Sequence, residues 1–74
     1  MTEIDRTIPK LSRCAAGMKI LAARGDENVS AQNDVIYAGG SGKELKEYPP
    51  EVIEKLEKFG WFWDDQYESW GFFT

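Results

Sequence analysis

Residues 59–74 read FGWFWDDQYESWGFFT and hold eight of the ten aromatic residues of this 74-residue chain. They form two short aromatic runs, WFW and WGFF, joined by a polar stretch that is typical of a hairpin loop. Pairing Trp63 with Trp70 would place Trp61 beside Phe72, so that four large rings project from one face of the hairpin. A slip of one residue would disperse these rings, so we expect a strongly specified register.

Proline and charge order mark the helix that leads into this hairpin. Pro49 and Pro50 stand where a helix begins, because the N–H groups of a first turn have no partner within the helix. Acids occupy the first turns and lysines the last, an order that suits the helix dipole. We predict a helix over residues 50–59, ended by Gly60. Its buried stripe consists of Val52, Ile53, Leu56 and Phe59.

An earlier helix is predicted from Thr7, a possible N-cap, to the terminator Gly25. Its apolar residues recur at spacings of three and four, as Leu11, Cys14, Ala15, Met18, Leu21 and Ala22. Gly17 lies within the segment at a cost of about 1 kcal/mol relative to alanine. Apolar residues alternate over residues 18–22, so a strand remains an alternative for the second half of this segment, although the helix is favoured.

The remaining segments complete an α+β fold. Residues 26–33 are polar and turn-rich and are predicted to form a loop. Residues 35–38, Val-Ile-Tyr-Ala, indicate a strand, and a glycine-rich turn follows at residues 39–42. We predict one domain over residues 1–74 with the order α-β-α-β-β, preceded by a lead-in at residues 1–6. Its small, mainly antiparallel sheet has three strands, with the helices on one face.

Cysteine and histidine content limits the possible chemistry. The chain has one cysteine, Cys14, and no histidine. An intrachain disulfide is therefore impossible, and the usual zinc, haem and iron–sulfur ligand sets are missing, so we expect no cofactor or metal. Cys14 lies on the apolar stripe without a histidine to activate it, and we interpret it as a small buried hydrophobe. We expect no enzymatic activity, because a nucleophile–base pair is also missing.

The N-terminal residues and the hydropathy pattern bear on location. The first ten residues are charged and lack an apolar run, so we expect no secretory signal. No apolar run approaches the roughly 20 residues that span a bilayer. A single unpaired thiol suits a reducing compartment. We therefore expect a cytoplasmic protein without a membrane partner.

Charge is unevenly distributed along the chain. Residues 1–37 hold five acids and five bases, whereas residues 38–74 hold eight acids and four bases and carry the whole net charge of −4. An acidic, aromatic half would repel a phosphate backbone, which disfavours nucleic acid as a partner. A basic stripe opposite the apolar face of the first helix keeps that alternative open, with Arg6, Lys10, Arg13 and Arg24 as its bases. A solvated face is the simpler interpretation of this stripe.

One face of the predicted sheet has no covering element. Two helices cover one side of a three-stranded sheet, so aromatic residues on the other side stay exposed and are candidates for binding. On this uncovered face the third strand would place either Val35 and Tyr37 together, or Ile36 alone. The candidate partner-binding residues are Phe62, Phe73 and Tyr37 with the hairpin acids Asp64, Asp65 and Glu68. The acids most simply keep the hairpin soluble, and an acidic tip would also suit a basic partner.

These observations predict a non-enzymatic, acidic interaction module. It would bind another protein, or itself as a homodimer, through the exposed aromatic face of the sheet. The alternative is a nucleic-acid module in which bases stack on exposed rings while the first-helix bases hold phosphates. The acidic C-terminal half argues against that alternative.

Residues 56–74, LEKFGWFWDDQYESWGFFT, resemble the C-terminal part of small uncharacterised proteins of phages and prophage-bearing bacteria. Those proteins end in a helix, a Gly-Trp-x-Trp-Asp turn and a Ser-Trp-x-x-Phe strand. The Asp-Val-Ile-Tyr stretch at residues 34–37 is also similar. The resemblance implies a compact accessory protein of mobile-element origin and carries over no known activity.

Overall fold

The computed structural model describes residues 3–40 and 43–74, and it confirms an α+β fold with both helices packed on one face of an antiparallel sheet. The helices and strands are α1 (Lys10–Ala23), β1 (Val29–Gln32), β2 (Val35–Ala38), α2 (Pro50–Lys58), β3 (Phe62–Asp64) and β4 (Ser69–Phe73), with a short 3-10 helix at Leu45–Glu47 before α2. The strands lie in the order β1-β2-β4-β3. Ser41 and Gly42, part of the predicted glycine-rich turn, lie outside the described residues.

Strand β1 corrects the loop that was predicted for residues 26–33. Its sequence, VSAQ, alternates apolar and polar residues over only four positions within a polar segment, and all four residues are exposed. Asn33 and Asp34 both adopt positive φ, 52° and 65°. That geometry is typical of the two-residue turn that fits the twist of an antiparallel hairpin. The turn sets Gln32 opposite Val35, and the sheet therefore has four strands rather than three.

The aromatic hairpin forms in the predicted register. Trp63 lies opposite Trp70. Trp61 precedes β3, and its ring packs against Phe72 with the centroids 5.2 Å apart. Trp61, Trp70 and Phe72 are at most 3 % exposed. Trp63, which was also predicted to lie in the core, is only half-buried.

Helix α1 begins later than predicted and ends as predicted. Its N-cap is Pro9 rather than Thr7, and no side chain caps the helix. Proline disfavours helical geometry in the residue before it, so the helix cannot easily start earlier. The Thr7 N–H instead donates to Asp5 Oδ1 at 3.1 Å. At the other end, Gly25 has a φ of 82° and terminates the helix.

The buried side of α1 is rotated away from the predicted apolar stripe. Cys14, Gly17 and Leu21 are buried, whereas Leu11 is 81 % exposed. Gly17 is buried because the Trp61 indole packs directly against the helix backbone there. A Cβ at this position would overlap the indole atoms Nε1, Cδ1 and Cε2. The missing side chain therefore decides which side of α1 faces the hairpin.

This rotation brings the predicted basic stripe into internal contacts. Arg13 donates to Ile8 O at 3.1 Å and to Phe59 O at 3.4 Å. Its guanidinium lies 5.9 Å from the centroid of the Phe72 ring. The Arg24 guanidinium lies 5.5 Å from the centroid of the Tyr48 ring, and Lys10 Nζ donates to the backbone oxygen of Thr74. Arg13 is therefore part of the internal packing, whereas Arg6, Lys10 and Arg24 stay exposed.

Both helices contribute to a core that is largely aromatic. The buried cluster consists of Cys14, Leu21, Ala38, Tyr48, Leu56, Trp61, Trp70 and Phe72. Each aromatic ring buries roughly 150–250 Å², which gives a short chain a large buried area from few residues. The stability of the fold therefore depends on the rings of the hairpin.

Replacing Gly17 with alanine is predicted to destabilise the protein, although alanine is the better helix former by about 1 kcal/mol. The added methyl group would overlap the Trp61 indole, and overpacking typically costs about 1–3 kcal/mol. Chemical denaturation should show a lower free energy of unfolding for Gly17→Ala. As a control, Trp61→Phe removes the pyrrole ring that the methyl group would meet, so Gly17→Ala should cost less in that background. An unchanged or higher free energy of unfolding in Gly17→Ala would contradict this packing.

Candidate functional site

Alternate residues of the strands lie on the sheet face that the helices leave uncovered. Tyr37 of β2 and Phe62 of β3 share that face, because both are paired with Gly71 of β4. Phe73 lies two residues after Gly71 on the same strand and points the same way. The ring of Tyr67, from the hairpin loop, packs against Tyr37. We call these four aromatic residues, Tyr37, Phe62, Tyr67 and Phe73, the aromatic face.

The four rings of the aromatic face form two pairs. Phe62 and Phe73 stack with their centroids 4.8 Å apart and an interplanar angle of 25°. Tyr37 and Tyr67 pack with their centroids 4.8 Å apart at 47°. Phe73 is 63 % exposed and Tyr67 is 44 % exposed, whereas Phe62 and Tyr37 are half-buried. Each pair therefore combines one anchored ring with one ring that is open to solvent.

Gly71 allows the Phe62 ring to lie directly over the backbone of β4. A Cβ at position 71 would come within 2.6 Å of the nearest atom of this ring. Phe62 and Gly71 are paired across the hairpin, as the sequence predicts. The small residue on β4 thus determines where the ring of its β3 partner lies.

Asp64 is the hairpin acid that joins the aromatic face. Its Oδ2 accepts a hydrogen bond from the Tyr37 hydroxyl at 3.2 Å. Its Oδ1 accepts hydrogen bonds from the N–H groups of Gln66 and Tyr67, at 2.9 and 3.3 Å. Desolvation, followed by the hydrogen bond to Asp64, raises the pKa of Tyr37. One carboxylate thus fixes both the tyrosine of β2 and the turn that presents Tyr67.

The other two hairpin acids lie on the helix side of the sheet. Asp65 Oδ1 accepts a hydrogen bond from Trp63 Nε1 at 3.0 Å. Asp65 and Glu68 border a cleft of about 380 Å³, whose other lining residues are Lys43, Glu44, Leu45, Lys46 and Trp63. Strand alternation does not extend through a loop, so the sequence pattern could not assign these acids to a face. Of the six predicted residues, the structure brings together Phe62, Phe73, Tyr37 and Asp64.

Tyr67 is a member of the aromatic face that sequence reasoning does not identify. It lies in the loop between β3 and β4, where no periodicity indicates a direction. The sequence feature that could have indicated its position is Asp64, three residues earlier, because an aspartate at this position commonly bonds to the backbone N–H groups that follow it. Such a turn fixes the loop tightly enough to place the ring against Tyr37.

A separate polar cluster is buried on the helix side and was not predicted. Asp26 is 2 % exposed, and its two carboxylate oxygens accept hydrogen bonds from Tyr48 Oη at 2.9 Å and Lys43 Nζ at 2.5 Å. The Tyr48 hydroxyl also accepts the N–H of Gly40 at 3.2 Å. A buried carboxylate requires such partners. Because both oxygens bond within the protein, we interpret the cluster as a clamp between the segments that follow α1 and precede α2.

Burial and the Asp26 carboxylate raise the pKa of Tyr48 to about 12. Desolvation is the larger cause, since the residue is 3 % exposed and its ring packs edge-on against Trp63 and Trp70. The hydrogen bond to Asp26 also favours the protonated hydroxyl. The Gly40 N–H acts in the opposite direction. Tyr48 is therefore a neutral donor at neutral pH.

The Cys14 thiol and the possible metal ligands are the remaining groups that could support chemistry. Cys14 is buried, and burial raises the pKa of its thiol, which disfavours the nucleophilic thiolate. Within residues 3–40 and 43–74, no cluster of three or more His, Cys, Asp or Glu side chains is placed to hold a metal ion. In the same part of the chain, neither helix has the length and apolar character that crossing a membrane requires.

Stability is predicted to fall between about pH 10 and pH 12 because of Tyr48. The folded state keeps the hydroxyl proton up to a pKa of about 12, whereas an unfolded tyrosine loses it near pH 10. The contribution of Tyr48 to stability is therefore complete below pH 10 and is lost as the pH rises to 12. Urea denaturation across this range should show a smaller alkaline loss in Tyr48→Phe than in the wild type.

Tyr67→Phe is the matched control for this measurement, because it removes a tyrosine hydroxyl from an exposed residue. It should keep the alkaline loss of the wild type. Equal losses in Tyr48→Phe and the wild type would contradict the assignment to Tyr48.

No protein-family model, curated protein or solved structure matches this chain. The resemblance of residues 56–74 to proteins of phages therefore stays a prediction.

Proposed function

We propose that this chain is a non-enzymatic interaction module that binds another protein, or a second copy of itself, through the aromatic face. The observation that carries the proposal is the exposure of Phe73, at 63 %, and Tyr67, at 44 %, on the sheet face opposite the helices. Neighbouring exposed rings leave apolar surface in water, and such surfaces commonly mark sites of interaction. A partner that covers them would gain the free energy of burying that surface.

The arrangement of the rings suits a binding surface. Each exposed ring packs on a half-buried ring, Phe73 on Phe62 and Tyr67 on Tyr37. Such packing restricts the rotamers of the exposed rings before a partner arrives, so less conformational entropy is lost on binding. Aromatic side chains at the centre of an interface often contribute most of its affinity.

The charge near these rings indicates the character of the partner. Asp64 lies among the rings, and residues 38–74 hold eight acids and four bases. A partner with an apolar centre and a basic rim would complement this surface. In keeping with the resemblance to phage proteins, the module would be a cytoplasmic accessory protein of a mobile element that occupies such a surface on a host protein.

Nucleic acid is the alternative partner, and the geometry gives it less support. Helix α1 packs on the covered side of the sheet, so most of its bases lie away from the aromatic face, and only Lys10 reaches the backbone oxygen of Thr74 beside Phe73. Arg13 and Arg24 also contact rings and carbonyl groups within the protein. A strand of nucleic acid stacked on the rings would therefore find few basic side chains within reach of its phosphates.

Phe73→Asp is predicted to weaken binding by about tenfold or more, because complex formation would bury an unpaired charge. The monomer should stay folded, since this side chain is 63 % exposed. Size-exclusion chromatography with light scattering measures self-association. Titration calorimetry with a purified protein captured from host lysate measures binding to another partner. Circular dichroism verifies the fold of each variant.

Leu11→Asp is the matched control, because Leu11 is an 81 % exposed apolar residue on α1, away from the aromatic face. It should bind as the wild type does. Equal binding by the wild type and Phe73→Asp would refute the proposed surface. A mobility shift with nucleic acid that weakens steeply with salt would instead support the alternative.

A further inference from the structure

Strand β1 is the less protected of the two sheet edges. It occupies one end of the strand order, and all four of its residues are exposed. Its sequence, VSAQ, contains neither a charge nor a proline. Soluble proteins commonly protect edge strands with such residues, because a bare edge offers its N–H and C=O groups to another strand. At the other edge, β3 has three residues and ends at Asp64.

The pairing of β1 with β2 determines which backbone groups point outward. Gln32 closes the two-residue turn, and the closing pair of such a turn is hydrogen bonded. Hydrogen-bonded and non-hydrogen-bonded residue pairs alternate along an antiparallel ladder, so Ser30 is the next residue of β1 whose backbone groups bond to β2. Asn28, two residues before Ser30, follows the same alternation, since its carbonyl oxygen accepts a hydrogen bond from the Gly39 N–H at 2.9 Å. The residues between them, Val29 and Ala31, therefore direct their N–H and C=O groups away from β2.

We propose that β1 pairs with β1 of a second copy of this chain, antiparallel about a two-fold axis through Ser30. In this register Val29 lies opposite Ala31 of the second copy, and Ala31 opposite its Val29. The outward groups of these residues then face each other, and each pair exchanges two hydrogen bonds. A register centred on Ala31 would require Asn33 to continue the strand, but the φ of Asn33 is 52°.

Charge and side-chain size favour a second copy as the occupant. Two-fold pairing brings residues of β1 against the same strand of the other copy, so any charge on β1 would approach its own like charge. VSAQ has no charge, and the four strand residues themselves therefore meet no such repulsion. Ser30 would lie opposite Ser30 of the second copy, where two small side chains fit.

The helix side of the edge gives the same pairing an apolar contribution. Val29 is 66 % exposed there. It borders a groove of about 400 Å³ between β1 and α1, whose apolar lining includes Met18, Leu21 and Ala22. In the proposed register, Val29 and Ala31 of both copies lie side by side along this edge. Each exposed valine thereby gains apolar neighbours that the monomer does not provide.

The expected product is a continuous eight-stranded sheet, twice the four strands of one copy. Four residues from each copy form a small interface, so we expect a weak dimer whose population rises with protein concentration. The inference concerns the edge of the sheet and does not depend on the aromatic face.

Disulfide trapping tests the register. In a non-hydrogen-bonded pair the two Ser30 Cα atoms would lie about 4.5 Å apart, within the range that a disulfide spans. Oxidation of Ser30→Cys, in a Cys14→Ala background, should give a covalent dimer. Gln32→Cys in that background is the matched control. It is also exposed, but the two copies of residue 32 would be offset by about 14 Å along the strands, so it should stay monomeric.

Backbone substitution and light scattering test the pairing without a cross-link. Ala31→Pro removes an outward N–H and should abolish the concentration-dependent dimer, whereas Ala31→Thr keeps this group and should preserve it. Circular dichroism verifies that each variant is folded, and the trapping experiment decides the matter if Ala31→Pro is not.

Three outcomes would overturn the inference. One is a wild type that stays monomeric up to about 1 mM. Another is equal cross-linking of Ser30→Cys and Gln32→Cys. The third is a dimer that folded Ala31→Pro preserves and Phe73→Asp abolishes, which would assign self-association to the aromatic face. A dimer that Phe73→Asp preserves and Ala31→Pro abolishes would support the edge alone.

Discussion

The packing of the Trp61 indole against the backbone of α1 at Gly17 is the contact on which the rest of the structure depends. The ring is 2 % exposed, lies 5.2 Å from the Phe72 ring and donates from Nε1 to Arg13 O at 3.3 Å. A side chain at Gly17 would occupy the space of the indole. The approach is possible only on that side of the helix, so it fixes how α1 is rotated over the hairpin. That rotation buries Cys14 and leaves the N-terminal part of the apolar stripe exposed.

The same hairpin supplies both the core and the candidate binding surface. Its strands alternate, so the rings that fill the helix side, Trp70 and Phe72, leave Phe62 and Phe73 on the other side. The helices cover one face, and no rotation of α1 could bring the second set of rings under cover. The exposed rings are therefore a geometric consequence of an aromatic hairpin in a chain with two helices. Gly71 and the Asp64 carboxylate then determine how those rings lie.

Two acidic residues of this chain, Asp26 and Asp64, serve distinct structural purposes. Asp26 is buried and paired with Lys43 and Tyr48, where it joins the segments that follow α1 and precede α2. Asp64 bonds to the backbone of its own turn and to Tyr37. Net charge therefore describes the preference for a partner only in broad terms. The local position of each carboxylate determines what it contributes.

The sequence by itself determined the elements whose side chains follow a clear pattern: the hairpin register of Trp63 with Trp70, the start of α2 at Pro50 and the end of α1 before Gly25. It did not reveal β1, because the alternation of VSAQ is short and lies within a polar segment, and the turn and the pairing with β2 make it a strand. Neither the rotation of α1 nor the placement of loop residues such as Tyr67 and Asp65 follows from periodicity. Local patterns specify which segments are helix or strand, whereas contacts between distant segments decide which faces are covered.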